Sequence, residues 1–154
     1  MFDNFMSFNY YRQQSKYSCG ACAMRMVLEC FGIKNSEKQL IKLLKTNKIR
    51  GTWLKEFPQL AEKLSLNYVV QRNSTIKDLK YFNKKGYKII ICYFYPPEKI
   101  DHYAVLKSLD SRYIHFYDPW FGPNHKYPLT YFKKIWNSSK RFEYEKAWFI
   151  AIKK

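Results

Sequence analysis

The chain has 154 residues, of which 47% are hydrophobic and 26% charged, a composition typical of one globular domain and not of a disordered chain. We therefore expect residues 1–154 to form a single domain that folds without disulfides or a structural metal. Lys and Arg outnumber Asp and Glu by 28 to 12, which gives a net charge of +16, but no run reaches five like charges. This scattered pattern predicts no nucleic-acid partner, although other anionic partners remain open.

The sequence also argues against a membrane span. No apolar run approaches the roughly 18 residues that a membrane helix needs. The longest run, Ile89 to Tyr95, has the length of a strand, and Met1 to Asn4 lacks the basic start of a signal peptide. These observations predict a cytoplasmic protein whose cysteines are reduced.

The first half of the chain predicts helices. Apolar side chains recur at helical spacing over residues 20–31, and Gly32 follows as a stop signal. Ser36 and Gln39 have the spacing of a capping box, which predicts the start of a second helix.

A third helical pattern covers residues 51–64, in which Pro58 indicates that the first turn is separate. A short strand is predicted over 68–71. Thr75 and Asp78 then have the spacing of a second capping box, so we expect another helix to begin there.

The second half predicts mainly strands. In chain order we expect strands over 87–95, 101–108 and 113–118, a loop over 119–128, a short helix from Thr130 and a last strand over 147–152. Helices first and antiparallel strands second indicate an α+β domain.

Cys19 directly precedes the first helical pattern, in Ser18-Cys19-Gly20. A thiol at this place lies at the positive end of the helix dipole, which favours the thiolate. We expect Gly20 to keep the neighbouring backbone open to a substrate. Alone, such a cysteine is as readily a structural thiol, because cysteine is among the most buried residue types.

His102 and Asp118 lie at the start of one predicted strand and at the end of the next. A three-residue hairpin loop over 109–111 places His102 opposite Asp118. The same register places Ala104 opposite Phe116, which gives a coherent apolar face. A two-residue loop puts the histidine and the aspartate on opposite faces, so the apolar pairing favours the longer loop and predicts a His–Asp contact.

Each of these polar residues also has a common structural explanation. A core histidine is often satisfied by a backbone carbonyl, and an Asp-Pro aspartate often caps a bend. Their coincidence with the cysteine at a helix start and with Gln13 upstream favours a catalytic site.

Gln13, Cys19-Gly20, His102-Tyr103-Ala104-Val105 and Asp118-Pro119 together resemble the papain-like cysteine peptidases that remove double-glycine leaders from bacteriocins. These peptidases are often N-terminal domains of ABC exporters. The resemblance spans about residues 10–152. It implies a papain-like α+β fold, in which an N-terminal helical part carries the cysteine and a C-terminal antiparallel sheet carries the histidine and the aspartate.

The resemblance implies one role for each residue. Cys19 is the nucleophile, His102 is the base and later the acid, and Asp118 orients the imidazole. Gln13 offers its side-chain NH₂ to the oxyanion, beside the Cys19 backbone N–H. No cofactor and no metal are implied. Ser18 departs from the pattern, because many members carry Asp before the cysteine.

We accordingly expect a cysteine endopeptidase that cleaves after a Gly-Gly type motif in a leader or other peptide, through an acyl-enzyme intermediate. The positive charge fits an acidic leader peptide, and a separate ABC exporter is a candidate partner. A non-proteolytic thiol enzyme of this fold, by acyl transfer or deamidation, and a peptide-binding module remain as alternatives.

The C-x-x-C spacing of Cys19 and Cys22 offers a redox or zinc alternative. A thioredoxin-like motif follows an apolar strand, whereas residues 9–18 are polar. Structural zinc needs a second close ligand pair, and Cys30 and Cys92 are isolated in the sequence. These observations disfavour both alternatives.

Overall fold

The computed structural model describes residues 8–154, and one six-stranded antiparallel sheet organises them. The elements in chain order are α1 (Cys19–Glu29), α2 (Glu37–Leu43), α3 (Glu56–Lys63), β1 (Asn67–Gln71), α4 (Ile76–Lys84), β2 (Lys88–Tyr95), β3 (Ile100–Leu109), β4 (Tyr113–Asp118), β5 (Gly122–Pro128), α5 (Leu129–Ile135) and β6 (Phe149–Lys153). The strands follow one another in the order β1-β6-β2-β3-β4-β5. The predicted α+β class is confirmed.

Two local sequence signals place the starts of α2 and α4 correctly, whereas the helical pattern predicted over 51–64 forms a helix only over Glu56–Lys63. The Ser36 hydroxyl accepts a hydrogen bond from the Gln39 N–H, and the Gln39 side chain accepts one from the Ser36 N–H. Thr75 and Asp78 form the same reciprocal pair at the start of α4. Each box satisfies N–H groups that a helix start otherwise leaves without partners.

Helices cover both faces of the sheet. The helices α1, α2 and α3 pack on one face, where Tyr103 and Val105 belong to the core, and α4 and α5 pack on the other, where Ala104 and Phe116 do. Strands buried on both faces read as continuous apolar runs, and β2 and β6 are such strands.

The register of the β3–β4 hairpin differs from the predicted one. Leu109 pairs with Ile114, and a bulge at Lys107 shifts the ladder so that Leu106 pairs with Phe116. The turn lies later in the chain than predicted, over residues 110–112, where the Asp110 carboxylate accepts the N–H groups of residues 112 and 113 and the Asp110 N–H donates to the Tyr113 carbonyl. Pairing of Leu109 with Ile114 reverses the predicted parity, and the bulge restores it, so the predicted apolar face is preserved.

The predicted loop over 119–128 is wrong beyond its first residues, because β5 begins at Gly122 and pairs with β4. Its burial alternates along the strand, as expected of an edge strand with one covered face. Pro123 and Pro128 lack an N–H, which is tolerated at an edge. Prolines and a glycine therefore suggested a loop where the chain forms an edge strand.

Across residues 8–154, the structure holds no helix with the length and apolarity that a bilayer crossing demands. The predicted lack of a signal peptide concerns Met1 to Asn4, which lie outside the described residues.

Gly20 has a different role from the predicted one. A Cβ at this position would lie 2.6 Å from Thr52 Oγ1 and 3.1 Å from Phe57 Cζ. Glycine is therefore required for α1 to approach Thr52 and Phe57. The Thr52 hydroxyl is itself fixed by a 2.7 Å hydrogen bond to Thr46.

We expect Gly20→Ala to lower the free energy of unfolding by about 1–3 kcal/mol, because the added methyl group overpacks a rigid contact. Chemical denaturation of the single variants and of Gly20→Ala/Thr52→Ala measures the coupling between the two sites. The double variant should lose less than the sum of the two single losses. Strictly additive losses would show that the methyl group does not meet Thr52.

Candidate active site

Cys19 is the first residue of α1 and is 8% exposed. Its backbone N–H is one of those that a helix leaves without an intrahelical partner. Packing of α1 against the face of the sheet that holds Tyr103 fixes this end of the helix. The sulfur therefore sits at the positive end of a buried helix dipole.

Ser18 does not cap α1 with its side chain. Its hydroxyl instead donates a 2.9 Å hydrogen bond to Glu37 Oε2, which also accepts the Gln14 N–H at 2.8 Å. Glu37 is buried in the first turn of α2. A carboxylate from another helix thus stands behind the cysteine, where the resemblance leads one to expect an aspartate at position 18.

His102 and Asp118 form a buried ion pair, with 2.6 Å between Nε2 and Oδ1. Continuing the observed register places Asp118 opposite Ala104, so the contact is diagonal and not the directly opposed pair that the sequence predicts. The predicted contact is present, but the long imidazole side chain makes it across this diagonal.

Both oxygens of Asp118 have partners. The Tyr93 hydroxyl donates to Oδ2 at 2.7 Å, and the N–H groups of Trp120 and Phe121 donate to Oδ1 at 2.9 and 3.0 Å. A buried charge is tolerated only when it is paired and hydrogen-bonded. Asp118 meets this condition completely, and its carboxylate is therefore held in one orientation.

Electrostatics favour the charged form of both partners. Burial disfavours the imidazolium, but the charges of Asp118 and Cys19 and their hydrogen bonds outweigh it and raise the pKa of His102 to about 10. Burial likewise opposes ionisation of Asp118, yet His102 keeps the pKa of this carboxyl below its usual range. Because the pKa of His102 rises from 6.5, its stabilising contribution is complete below about pH 6.5 and is lost as the pH passes about 10.

Cys19 and His102 line one narrow cavity of about 140 Å³, which we name the central slot. By strand alternation His102 belongs to the sheet face opposite to the one that α1 covers. Both side chains border the central slot near the beginning of β3, where His102 is the third residue. The slot continues into a cavity of about 680 Å³, the aromatic cavity, which shares His102 and is lined by Tyr95, Trp120 and Phe121.

Gln13 lines the aromatic cavity together with His102 and is 8% exposed. Its backbone N–H donates to the Pro119 carbonyl at 3.0 Å, which ties this segment to the residue after Asp118. One N–H of its side-chain amide donates to the Ser15 carbonyl at 2.7 Å. An amide nitrogen carries two hydrogens, so a second donor remains for a ligand.

Arg50 is a residue near the site that the sequence analysis missed. It is buried between Glu143 and Asp101, with its Nη2 3.3 Å from Asp101 Oδ2. Burial raises the pKa of Asp101 to about 6, against the pull of the Arg50 charge. This ion cluster joins the segments around residues 50 and 143 and builds the wall of the central slot beside His102.

Tyr93 and Glu37 were also missed. A signal for Tyr93 exists in the sequence, because a hairpin around Pro96-Pro97 pairs it with His102, as the structure does. Arg50 and Glu37 lie far from their partners along the chain and have no such signal.

The second thiol of the C-x-x-C unit lies in the core. Cys22 donates to the Tyr11 carbonyl at 3.2 Å, and burial raises the pKa of its thiol. All four cysteines are free. Within residues 8–154, no three or more His, Cys, Asp or Glu side chains are grouped so that they could hold a metal ion.

Comparison with known proteins assigns the sequence to a family. The sequence pattern of the peptidase C39 family matches residues 7–140. No curated protein sequence is significantly similar to the chain.

Three solved structures share the fold. The peptidase domain of Streptococcus ComA, a bi-functional ABC transporter involved in a quorum-sensing pathway, has a TM-score of 0.75 at 19% identity and covers 96% of this chain and 98% of its own. A C39-like peptidase from Bacillus anthracis has a TM-score of 0.76 at 16% identity, and the match covers 97% of this chain and 96% of that one. A double-glycine motif protease from an AMS/PCAT transporter, in complex with the leader peptide, has a TM-score of 0.69 at 18% identity, and the match covers 96% of this chain and 91% of that one.

We expect Cys19→Ala to lower the pKa of His102, because one of the two groups that raise it is removed. NMR titration of the histidine ring nitrogens measures this shift. His115, which is bonded to Asp110 on the exposed turn, serves as the internal reference that should not move. An unchanged His102 titration in Cys19→Ala would show that the sulfur and the imidazole do not interact.

Proposed function

This chain belongs to the peptidase C39 family and is a cysteine peptidase, and we propose that it cleaves peptides after a Gly-Gly type motif. The family expected from the sequence is confirmed by the family match, and the papain-like fold is confirmed by the three structures. One observation carries the proposal beyond the family: Cys19 and His102 share a narrow slot, and the histidine is held there by a fully satisfied Asp118.

Cys19 is proposed as the nucleophile and His102 as its base. A thiolate is a far better nucleophile than a thiol, and it forms where a nearby cation stabilises it. The raised pKa of His102 keeps the imidazole protonated at neutral pH, beside the sulfur. The helix dipole adds at most about 2 kcal/mol to the stabilisation that the imidazolium provides.

The proposed reaction has two stages. The Cys19 thiolate attacks the scissile carbonyl carbon, and the carbonyl electron pair moves onto oxygen. The intermediate collapses to a thioester when the C–N bond breaks and His102 gives its proton to the leaving amine. Water then attacks the thioester while His102 accepts its proton, and the acid product leaves as the thiolate–imidazolium pair is restored.

Gln13 is proposed to stabilise the oxyanion. Its free amide N–H and the backbone N–H of Cys19 are the available donors on this side of the cleft. Its second anchor, the backbone bond to Pro119, ties its position to that of Asp118. Pre-positioned donors of this kind stabilise charge that develops in the transition state.

The small volume of the central slot supports glycine next to the scissile bond. Its walls are rigid, because Arg50 ties together the segments on either side of it. A substrate chain that passes through a slot of about 140 Å³ has little room for large side chains. The adjoining aromatic cavity, at about 680 Å³, accommodates larger ones.

We further propose that the enzyme acts in the cytoplasm as a single domain on an acidic leader-type peptide, next to a separate ABC exporter. The ComA peptidase domain belongs to an ABC transporter, and the PCAT structure contains a leader peptide. The net charge of +16 supports an acidic partner.

We expect the wild type to cleave a peptide with a Gly-Gly junction and to leave the matched Val-Val peptide intact. Cys19→Ala and His102→Ala should abolish cleavage, whereas Cys22→Ala, which removes the other thiol of the C-x-x-C unit, should retain it. Mass spectrometry of the products locates the cut.

Cleavage by Cys19→Ala or His102→Ala at the wild-type rate would overturn the assignment. If no peptide is cut but iodoacetamide labels Cys19 selectively at mild pH, the chain carries out non-proteolytic thiol chemistry instead.

We expect Gln13→Ala to lower kcat by about 10²–10³-fold with a smaller change in KM, because the lost donor acts on the transition state. The neighbouring Gln14→Ala is the matched control, since the Gln14 side chain is exposed and only its backbone bonds to Glu37. Steady-state kinetics on the Gly-Gly peptide separates the two variants. Equal losses in both would remove Gln13 from the oxyanion site.

A further inference from the structure

The active-site cleft does not end at the central slot. Lys99, Ser139 and Arg141 line both the slot and a larger cavity of about 1000 Å³, which we name the basic pocket. A chain lying in the slot therefore has a continuous path into this pocket. Its lining includes five cationic side chains, those of Lys99, Lys133, Lys140, Arg141 and Lys146.

These five cations have no carboxylate partner within the part of the chain that the structure describes. Among residues 8–154, none of them lies within 4.0 Å of a carboxylate. The carboxylates in the same stretch of chain are engaged elsewhere, because Glu143 binds Arg50 and Glu145 binds Arg72. All five cationic residues are exposed, so their charge is directed at whatever enters the pocket.

The floor of the pocket is apolar. Trp136, Phe94 and Tyr144 lie among its lining residues. Lys140 and Lys146 stand 5.5 and 5.8 Å from the Tyr144 ring centroid, which orders two of the cations around one aromatic ring. An extended polypeptide with acidic and apolar side chains matches this combination of charged rim and apolar floor.

We propose that the basic pocket binds an acidic segment of the peptide substrate, on one side of the scissile bond. Its carboxylates pair with the rim cations, and an apolar side chain packs on the aromatic floor. The proposal rests on the proposed peptidase function, because the occupant is the chain whose cleaved bond lies at Cys19. Continuity with the slot favours a peptide over nucleic acid or a membrane surface.

Binding is best measured in Cys19→Ala, so that the peptide stays intact. The probes are fluorescent peptides with one Gly-Gly junction and identical apolar residues, which carry glutamates on the N-terminal side, on the C-terminal side, or glutamines throughout. At 50 mM NaCl we expect one glutamate peptide to bind about tenfold more tightly than the glutamine peptide by fluorescence anisotropy. The difference should shrink at 500 mM NaCl.

Two charge-matched sets of substitutions locate the effect. Lys133→Gln/Lys140→Gln/Lys146→Gln should reduce the preference to about twofold or less. Lys38→Gln/Lys42→Gln/Lys63→Gln removes the same charge from exposed positions on α2 and α3, outside the lining of the pocket, and should retain the preference.

If both sets of substitutions reduce the preference for glutamate equally, the preference comes from net charge and the proposed binding in the basic pocket is wrong. Equal binding of all three peptides would overturn it as well, as would inhibition by single-stranded DNA or anionic vesicles without any preference for glutamate. A glutamate preference in Cys19→Ala without cleavage by the wild type would support the pocket and overturn the proposed peptidase function.

Discussion

The buried ion pair between His102 and Asp118 is the interaction on which the site depends. Taking two charges out of water costs several kcal/mol each, and the cost is offset only if every remaining lone pair finds a donor. Tyr93 from β2 and two backbone N–H groups after β4 provide those donors. The hydrogen bonds of this one carboxylate therefore link β2, β3 and the turn after β4.

The distribution of carboxylates explains where the positive charge is left. The chain has 12 acidic residues against 28 basic ones. Several acids close to the site are used internally: Glu37 binds Ser18 next to Cys19, Asp101 and Glu143 hold Arg50, and Asp118 holds His102. Among the described residues, the cations that line the basic pocket are therefore not paired with carboxylates, and the pocket itself carries positive charge.

Much of the fold follows from local patterns, because their causes lie within a few residues. The capping boxes at Ser36 and Thr75 start helices wherever the chain lies, since both partners belong to the same turn. The apolar side chains two residues from each, Ala104 and Phe116, likewise place His102 and Asp118 on the same face, although the predicted turn is wrong. The edge strand β5 was missed because its prolines and glycine suit a loop and an unpaired edge equally well.

The sequence by itself determined the types of the elements other than β5, the face that His102 and Asp118 share, and the order of glutamine, cysteine, histidine and aspartate. Only the tertiary structure decided that this pair meets diagonally, past a bulge at Lys107, and that the Glu37 carboxylate lies next to Ser18. It also decided that Arg50 forms a wall of the slot and that the slot opens into the basic pocket. Contacts between distant segments depend on how helices and sheet pack as bodies, and no local periodicity encodes that packing.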